Sequence, residues 1–264
     1  MRPELIAVDL DGTLLRDDLT VSERTRAALA AAAAAGIPVL PVTARSPRST
    51  GPLTEGLGLA GPAVCMNGAL VFELEEQVMR HHAPIEPPLG RELVEEVSEA
   101  LPGSVFAAEI ALRFHLEPDY FTEYPVPEDA VHASATDWAD QPLTKLVVRH
   151  RDLDVADLCE RVTGIVGDRA TSTRSGTSFA EIMAPGVSKA TGVAWVCAQR
   201  GIEPQDVLAF GDMPNDIPLL SWAGWGVAMG SAPSDVQGAA DEVTSVSHDD
   251  GVAEVVERVL AEIR

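Results

Sequence analysis

Leu5-Ile6-Ala7-Val8 is a short, nearly unbroken apolar run that stops at Asp9, the pattern of a strand buried on both faces of a parallel sheet. Thr20-Val21-Ser22-Glu23 reads as a capping box, and from 24 to 35 nine of twelve residues are Ala or Leu before Gly36 supplies a stop. That stretch predicts a helix. A second strand is expected over 37–42, in spite of Pro38 and Pro41, and a third over 63–66, ending at Asn67-Gly68. The same texture returns late in the chain. A helix is expected over 187–200, closed by Gly201, and strands over 207–210 and 226–229. Val252, Val255, Val256, Val259, Leu260 and Ile263 recur at the spacing of one helix face.

Between about 84 and 185 the pattern changes to amphipathic pieces. Helices are expected near 89–100 and 155–162, with strands near 111–116, 143–149 and 170–183. Pro84, Pro87 and Pro88 on entry and Pro185-Gly186 on exit punctuate the segment. The expected architecture is α/β: a doubly wound, parallel, Rossmann-like core sheet built from 1–83 and 186–264, with an α+β domain inserted over 84–185. In such open sheets ligands bind beyond the carboxyl ends of the strands, and here each strand end carries polar residues.

With 46% hydrophobic and 23% charged residues among 264, the chain can bury a large core without staples, which excludes a fibre, a disulfide miniprotein and a disordered chain. Cys65, Cys159 and Cys197 are odd in number, far apart and without metal-ligand spacing, and read as buried thiols of a reducing compartment. Asp plus Glu outnumber Lys plus Arg by 41 to 19, a net charge of −22. Such a field repels nucleic acid and anionic membranes. Acidic residues break the first apolar run, and nowhere are there 18 consecutive apolar residues. A cytoplasmic protein is expected, as a monomer or homodimer, with neither nucleic acid nor membrane as partner.

Two acidic loops follow apolar strands. In Asp9-Leu10-Asp11-Gly12-Thr13 the strand period would put both carboxylates on one side if the extended conformation persists. After 207–210 come Gly211-Asp212-Met213-Pro214-Asn215-Asp216, again rich in hard oxygen donors. Asp-Gly is also a common turn signal, and Asp216 near a helix start also favours the dipole. Two apolar strands that each feed clustered acids favour a hard cation such as Mg2+. Lys189 at the start of a helix runs against the dipole, a breach of local preference that points to function.

Asp9-Leu10-Asp11-Gly12-Thr13 resembles the first motif of the haloacid dehalogenase-like (HAD) phosphatases, Thr43 the second, Lys189 the third, and Gly211-Asp212 with Asn215-Asp216 the fourth, in the family's order. The insert between the second and third motifs looks like the type IIB cap of the Cof-like sugar-phosphatase branch, as does Asn67-Gly68-Ala69. The resemblance implies that Asp9 attacks phosphorus to form an aspartyl phosphate and that Asp11 moves the proton to the leaving group and from the attacking water. It implies Mg2+ held by Asp9, the Asp11 carbonyl and Asp212, with Thr43 and Lys189 on the phosphoryl oxygens. Asn215 and Asp216 would steady Lys189 and the metal with its waters. Gly12, Asn67 and Gly68 would admit phosphate close to the backbone. Arg45 would reach a substrate anion or form a surface salt bridge.

The expected activity is hydrolysis of a small phosphorylated metabolite, a sugar or polyol phosphate, with the insert as a lid that reads the leaving group. A phosphomutase and a non-catalytic phosphosugar-binding protein are the alternatives, and a receiver module of the same acid, Thr and Lys set is disfavoured by length. His81, His82, His115, His132, His150 and His248 lack metal spacing and read as structural or solvated.

Overall fold

The computed structural model describes residues 2–59, 61–176 and 178–263; Met1, Ala60, Thr177 and Arg264 of the expected ranges lie outside them. The chain divides into two compact units, one ending at His81 and resuming at Ser188, the other His82–Val187.

The first unit begins with β1 (Leu5–Asp9), α1 (Glu23–Ala34), β2 (Val39–Val42), α2 (Pro47–Glu55), β3 (Pro62–Cys65), β4 (Leu70–Glu73) and β5 (Val78–His82). The insert unit supplies α3 (Pro87–Ala100), β6 (Val105–Ile110), β7 (Arg113–Leu116), β8 (Val131–His132), α4 (Ala135–Trp138), β9 (Lys145–Arg149), α5 (Val155–Val166), β10 (Thr171–Thr173) and β11 (Ala180–Met183). The first unit then resumes with α6 (Lys189–Arg200), β12 (Val207–Gly211), α7 (Ile217–Trp222), β13 (Trp225–Ala228), α8 (Ser234–Gly238), β14 (Glu242–Val243) and α9 (Gly251–Ile263).

All five residues of β1 are buried, as expected of a central strand, and it pairs in parallel with β2 on one side and β12 on the other. The sheet runs β14-β13-β12-β1-β2-β3-β4-β5, parallel through β3 and antiparallel at β4. Strand order therefore reverses at β1. At such a switch point the loops leaving the two halves part and open a crevice at the carboxyl ends. Apolar clusters fill both faces: Ile6, Val8 and Phe210 with α1 and α9 on one, Leu5, Ala7 and Ala209 with α6 on the other.

Three local departures have physical causes. The cap of α1 is Ser22, which accepts from the Thr25 backbone N–H, so the helix is capped two residues later than the expected box; such caps contribute about 1 kcal/mol. Helix α2 carries Pro47, Gly51 and Pro52, a composition that hides it from propensity reasoning. Strand β6 was not expected, because Val105–Ile110 runs into β7 without a Gly or Pro signal, and the turn is made by Ala111 at φ +54°. Cys65 and Cys197 are buried thiols, whereas Cys159 is only half-buried. No helix among the described residues is long and apolar enough to cross a membrane.

Candidate active site

The switch point gathers the expected residues at four strand ends. Asp9 closes β1, Thr43 follows β2, Met66-Asn67-Gly68 follow β3, and Asp212 follows β12. Lys189 comes from the first turn of α6, whose N-cap Ser188 and Thr191 form a reciprocal capping box. The helix reaches the strand ends because two glycines let backbones touch. A Cβ on Gly68 would lie 1.9 Å from the Ser188 carbonyl oxygen, and one on Gly192 would lie 2.8 Å from the Gly68 Cα.

Lys189 is 1% exposed. Its Nζ donates to Asp9 Oδ1 at 2.6 Å and to Asp216 Oδ1 at 2.5 Å. Burial disfavours its charge, yet the carboxylates of Asp216 and Asp9 outweigh that and hold the ammonium above the ordinary lysine range. This explains a cation in a first helical turn, where the dipole repels it. Asp216 also accepts the backbone N–H groups of Asp212 and Met213 at 3.0 Å, so its carboxylate braces the loop that carries Asp212.

One oxygen each of Asp9, Asp212 and Asp216 lies within 4.8 Å of the others. Burial, with the charges of Asp216 and Asp212, pushes the Asp9 carboxyl well above its usual range, although Lys189 opposes this. Burial and Asp216 likewise push Asp212 up to about 6. Three carboxylates facing one ammonium leave two negative charges unbalanced, so the donor set fits a divalent cation by charge as well as by oxygen chemistry. Asn215 adds a second sign. It is buried, its amide N–H donates to Asn67 Oδ1 at 2.9 Å, and its Oδ1 has no partner among the described residues. That acceptor suits a cation-bound water.

Of the two acids in the first loop, only Asp9 joins that cluster. Strand β1 ends at Asp9, and the Asp11 carboxylate turns to Arg45, whose Nε and Nη2 donate to it at 2.7 and 2.5 Å. Asp11 and Arg45 therefore form a partly exposed bidentate pair, and the Asp11 side chain is outside the three-carboxylate cluster. Thr43 is fully buried; its Oγ1 accepts the Arg45 backbone N–H at 3.1 Å, which pins the hydroxyl. Gly12 sits at φ +77°, and a Cβ there would meet Asp212 Oδ2 at 2.3 Å.

Sequence reasoning gave no role to Thr13, whose Oγ1 donates to Asp212 Oδ1 at 3.1 Å across 199 residues. Its place in the Asp-Gly-Thr run was the available signal. The Asn67–Asn215 amide bridge was also missed. Its signal was Asn67 itself, since Asn tolerates the left-handed φ of +56° that this turn requires.

Two expected outcomes follow from this geometry. Gly68→Ala puts a Cβ into the Ser188 carbonyl at φ +98°, and should cost about 2 kcal/mol or more of stability while displacing Lys189; thermal melts and turnover check both. The second concerns pH. With its carboxyl raised from 3.8 to about 6, folded Asp212 binds a proton that the unfolded chain has released. Its contribution to stability is thus fully present below pH 3.8 and is lost as pH rises through about 6. A bound cation displaces that proton. Melts in EDTA should therefore fall as pH rises through this window, and the gain on adding Mg2+ should grow. In Asp212→Asn both trends should flatten.

Residues 6–256 match the family model described as haloacid dehalogenase-like hydrolase. The 5-amino-6-(5-phospho-D-ribitylamino)uracil phosphatase YitU of Bacillus subtilis is 28% identical over 260 residues, covering 96% of each chain. The pyridoxal phosphate phosphatase YbhA of Escherichia coli is 29% identical, covering 97% of this chain and 98% of its own. Among solved structures, the subclass IIB sugar phosphatase BT4131 superposes with a TM-score of 0.83 over 97% of this chain and 98% of that one, at 22% identity. The chain belongs to the haloacid dehalogenase-like hydrolases, as an enzyme of the phosphatase kind found among its relatives.

Proposed function

We propose that this chain is a Mg2+-dependent phosphomonoester hydrolase that acts on a small polyol or sugar phosphate through an aspartyl phosphate on Asp9. The observation that carries the reading is the buried Asp9 carboxylate at a sheet switch point, bonded to Lys189 and clustered with Asp212. The names of the relatives support the substrate class: one acts on a ribityl phosphate, and a structural neighbour is a sugar phosphatase.

In the first step an Asp9 oxygen bonds to phosphorus as the ester P–O bond breaks, and Asp11 gives its proton to the departing alkoxide. In the second, a water oxygen bonds to phosphorus, its proton returns to Asp11, and the acyl-phosphate P–O bond breaks to restore Asp9 and release phosphate. Asp9 and Asp212, with the Asp11 carbonyl, would hold the Mg2+, and Asp216 would brace them through Lys189 and the Asp212 N–H. When bound, the cation supplies positive charge to a phosphoryl oxygen. Lys189 and the Thr43 hydroxyl neutralise and orient other phosphoryl oxygens, and the glycines at 12 and 68 leave room for phosphate against the backbone. Arg45 would leave its pair with Asp11 to meet a substrate anion, which frees the Asp11 carboxyl for its proton transfers.

The insert unit selects the leaving group. With a net charge of −22, the protein favours small monoesters over polyanions, and it works in the cytoplasm as a monomer or homodimer. A panel of phosphorylated metabolites tests the reading by release of free phosphate, which also separates hydrolysis from phosphoryl return to sugar. Turnover should require Mg2+ and be greatest on a polyol or sugar monophosphate. Release that persists in EDTA, or none from any ester, contradicts it.

A further inference from the structure

Thr13 lies in the loop that follows β1 and is 1% exposed. A buried threonine hydroxyl commonly bonds a carbonyl of its own segment, as Thr50 and Thr54 do in α2. The Thr13 hydroxyl instead crosses to the loop after β12, where it donates to Asp212 Oδ1 at 3.1 Å. Gly12 lies against the same carboxylate: a Cβ there would stand 2.3 Å from Oδ2, 3.0 Å from the carboxyl carbon and 3.4 Å from Oδ1. The main chain of Asp212 is fixed separately, since its N–H donates to Asp216 Oδ2. What Thr13 and Gly12 fix is therefore the turn of the carboxylate about its own Cβ–Cγ bond.

The clustered carboxylates are held by different donors. Lys189 donates to Oδ1 of Asp9 and to Oδ1 of Asp216, whereas Asp212 accepts from a neutral hydroxyl. With Oδ1 engaged by Thr13, Asp212 serves a cation through its second oxygen, as a single ligand atom.

Single-oxygen ligation suits one ion better than another. Mg2+ demands an octahedron of oxygens at about 2.0–2.1 Å, whereas Ca2+ takes about 6–8 oxygens at roughly 2.3–2.6 Å and accepts both oxygens of one carboxylate. An Asp212 carboxylate free to rotate would offer both and favour the larger ion. A hydroxyl that only ties the two loops together would favour neither.

Resting on the Mg2+ reading above, we infer that Thr13 is a positioning residue that holds Asp212 to single-oxygen ligation and so sets a preference for Mg2+ over Ca2+. The test is calorimetric titration of the whole protein with each ion in the absence of any phosphate ester. Thr13→Val keeps the shape of the side chain and removes the donor, and Thr13→Ser keeps the donor. In Thr13→Val the Kd for Mg2+ should rise roughly tenfold, while that for Ca2+ rises less or falls, so the preference narrows. In Thr13→Ser the preference should stay as in the unaltered protein.

Thermal melts in EDTA accompany each variant, and Thr13→Ala is read in the same way should Thr13→Val fail to fold. Weakening of both ions by the same factor in the variants without a hydroxyl overturns the inference and leaves the Mg2+ reading standing, as does a Thr13→Ser protein that behaves like Thr13→Val. Absence of Mg2+ binding by the unaltered protein overturns both.

Discussion

Asp9→Asn should lower phosphate release by about 10,000-fold or more, because the amide cannot form the acyl phosphate that divides the displacement into two steps. The fold should survive the change. Burial and the charges of Asp216 and Asp212 make the ionised Asp9 carboxylate unfavourable in the folded protein, so a neutral side chain of the same shape should leave the metal-free melting temperature equal or higher. The gain in melting temperature on adding Mg2+ should shrink, since one of the clustered carboxylates is gone. Turnover within tenfold of the unaltered enzyme would remove Asp9 from the chemistry.

The second large effect is expected from Lys189→Met. The ammonium is the partner of both Asp9 and Asp216 at 2.5 to 2.6 Å, and removing one member of a buried ion cluster costs about 3–5 kcal/mol. Activity should be lost together with stability, unlike in Asp9→Asn. The stranded carboxylates protonate more readily as pH falls, so the destabilisation should be smaller at pH 5 than at pH 8. Adding Asp216→Asn to Lys189→Met should recover part of the stability without recovering turnover. Denaturant unfolding of the four proteins in EDTA measures this directly.

Much of the site's framework was legible in the sequence because parallel strands buried on both faces write themselves as short apolar runs, and polar residues at their ends stand out against them. Leu5–Asp9 and Val207–Gly211 are of this kind. Lys189 was legible as a contradiction, a cation where a helix repels one. What local pattern could not carry was contact over long separations. Thr13 meets Asp212, and Asn67 meets Asn215, only because the sheet order brings the ends of β1, β3 and β12 into one sheet.

The period-of-two argument for Asp9 and Asp11 carried a condition that the chain does not meet. It holds only while the chain stays extended, and β1 ends at Asp9, with Gly12 at φ +77° turning the loop. Asp11 then finds Arg45, two residues past Thr43. Helix α2 was hidden because its prolines and glycine oppose helix formation locally, while buried Thr50 and Thr54 bond its own carbonyls. A buried pair in the insert was unreadable for a related cause: Lys145 donates to Glu181 at 2.7 Å only because β9 lies beside β11.

The central claim is that the Asp9 carboxylate becomes covalently bonded to phosphorus. Borohydride reduces an acyl phosphate to an alcohol, so protein quenched with it during turnover and digested for mass spectrometry should carry homoserine at position 9 and nowhere else, and none without substrate. Homoserine at another aspartate, or full turnover with no modified residue at position 9, would contradict the account.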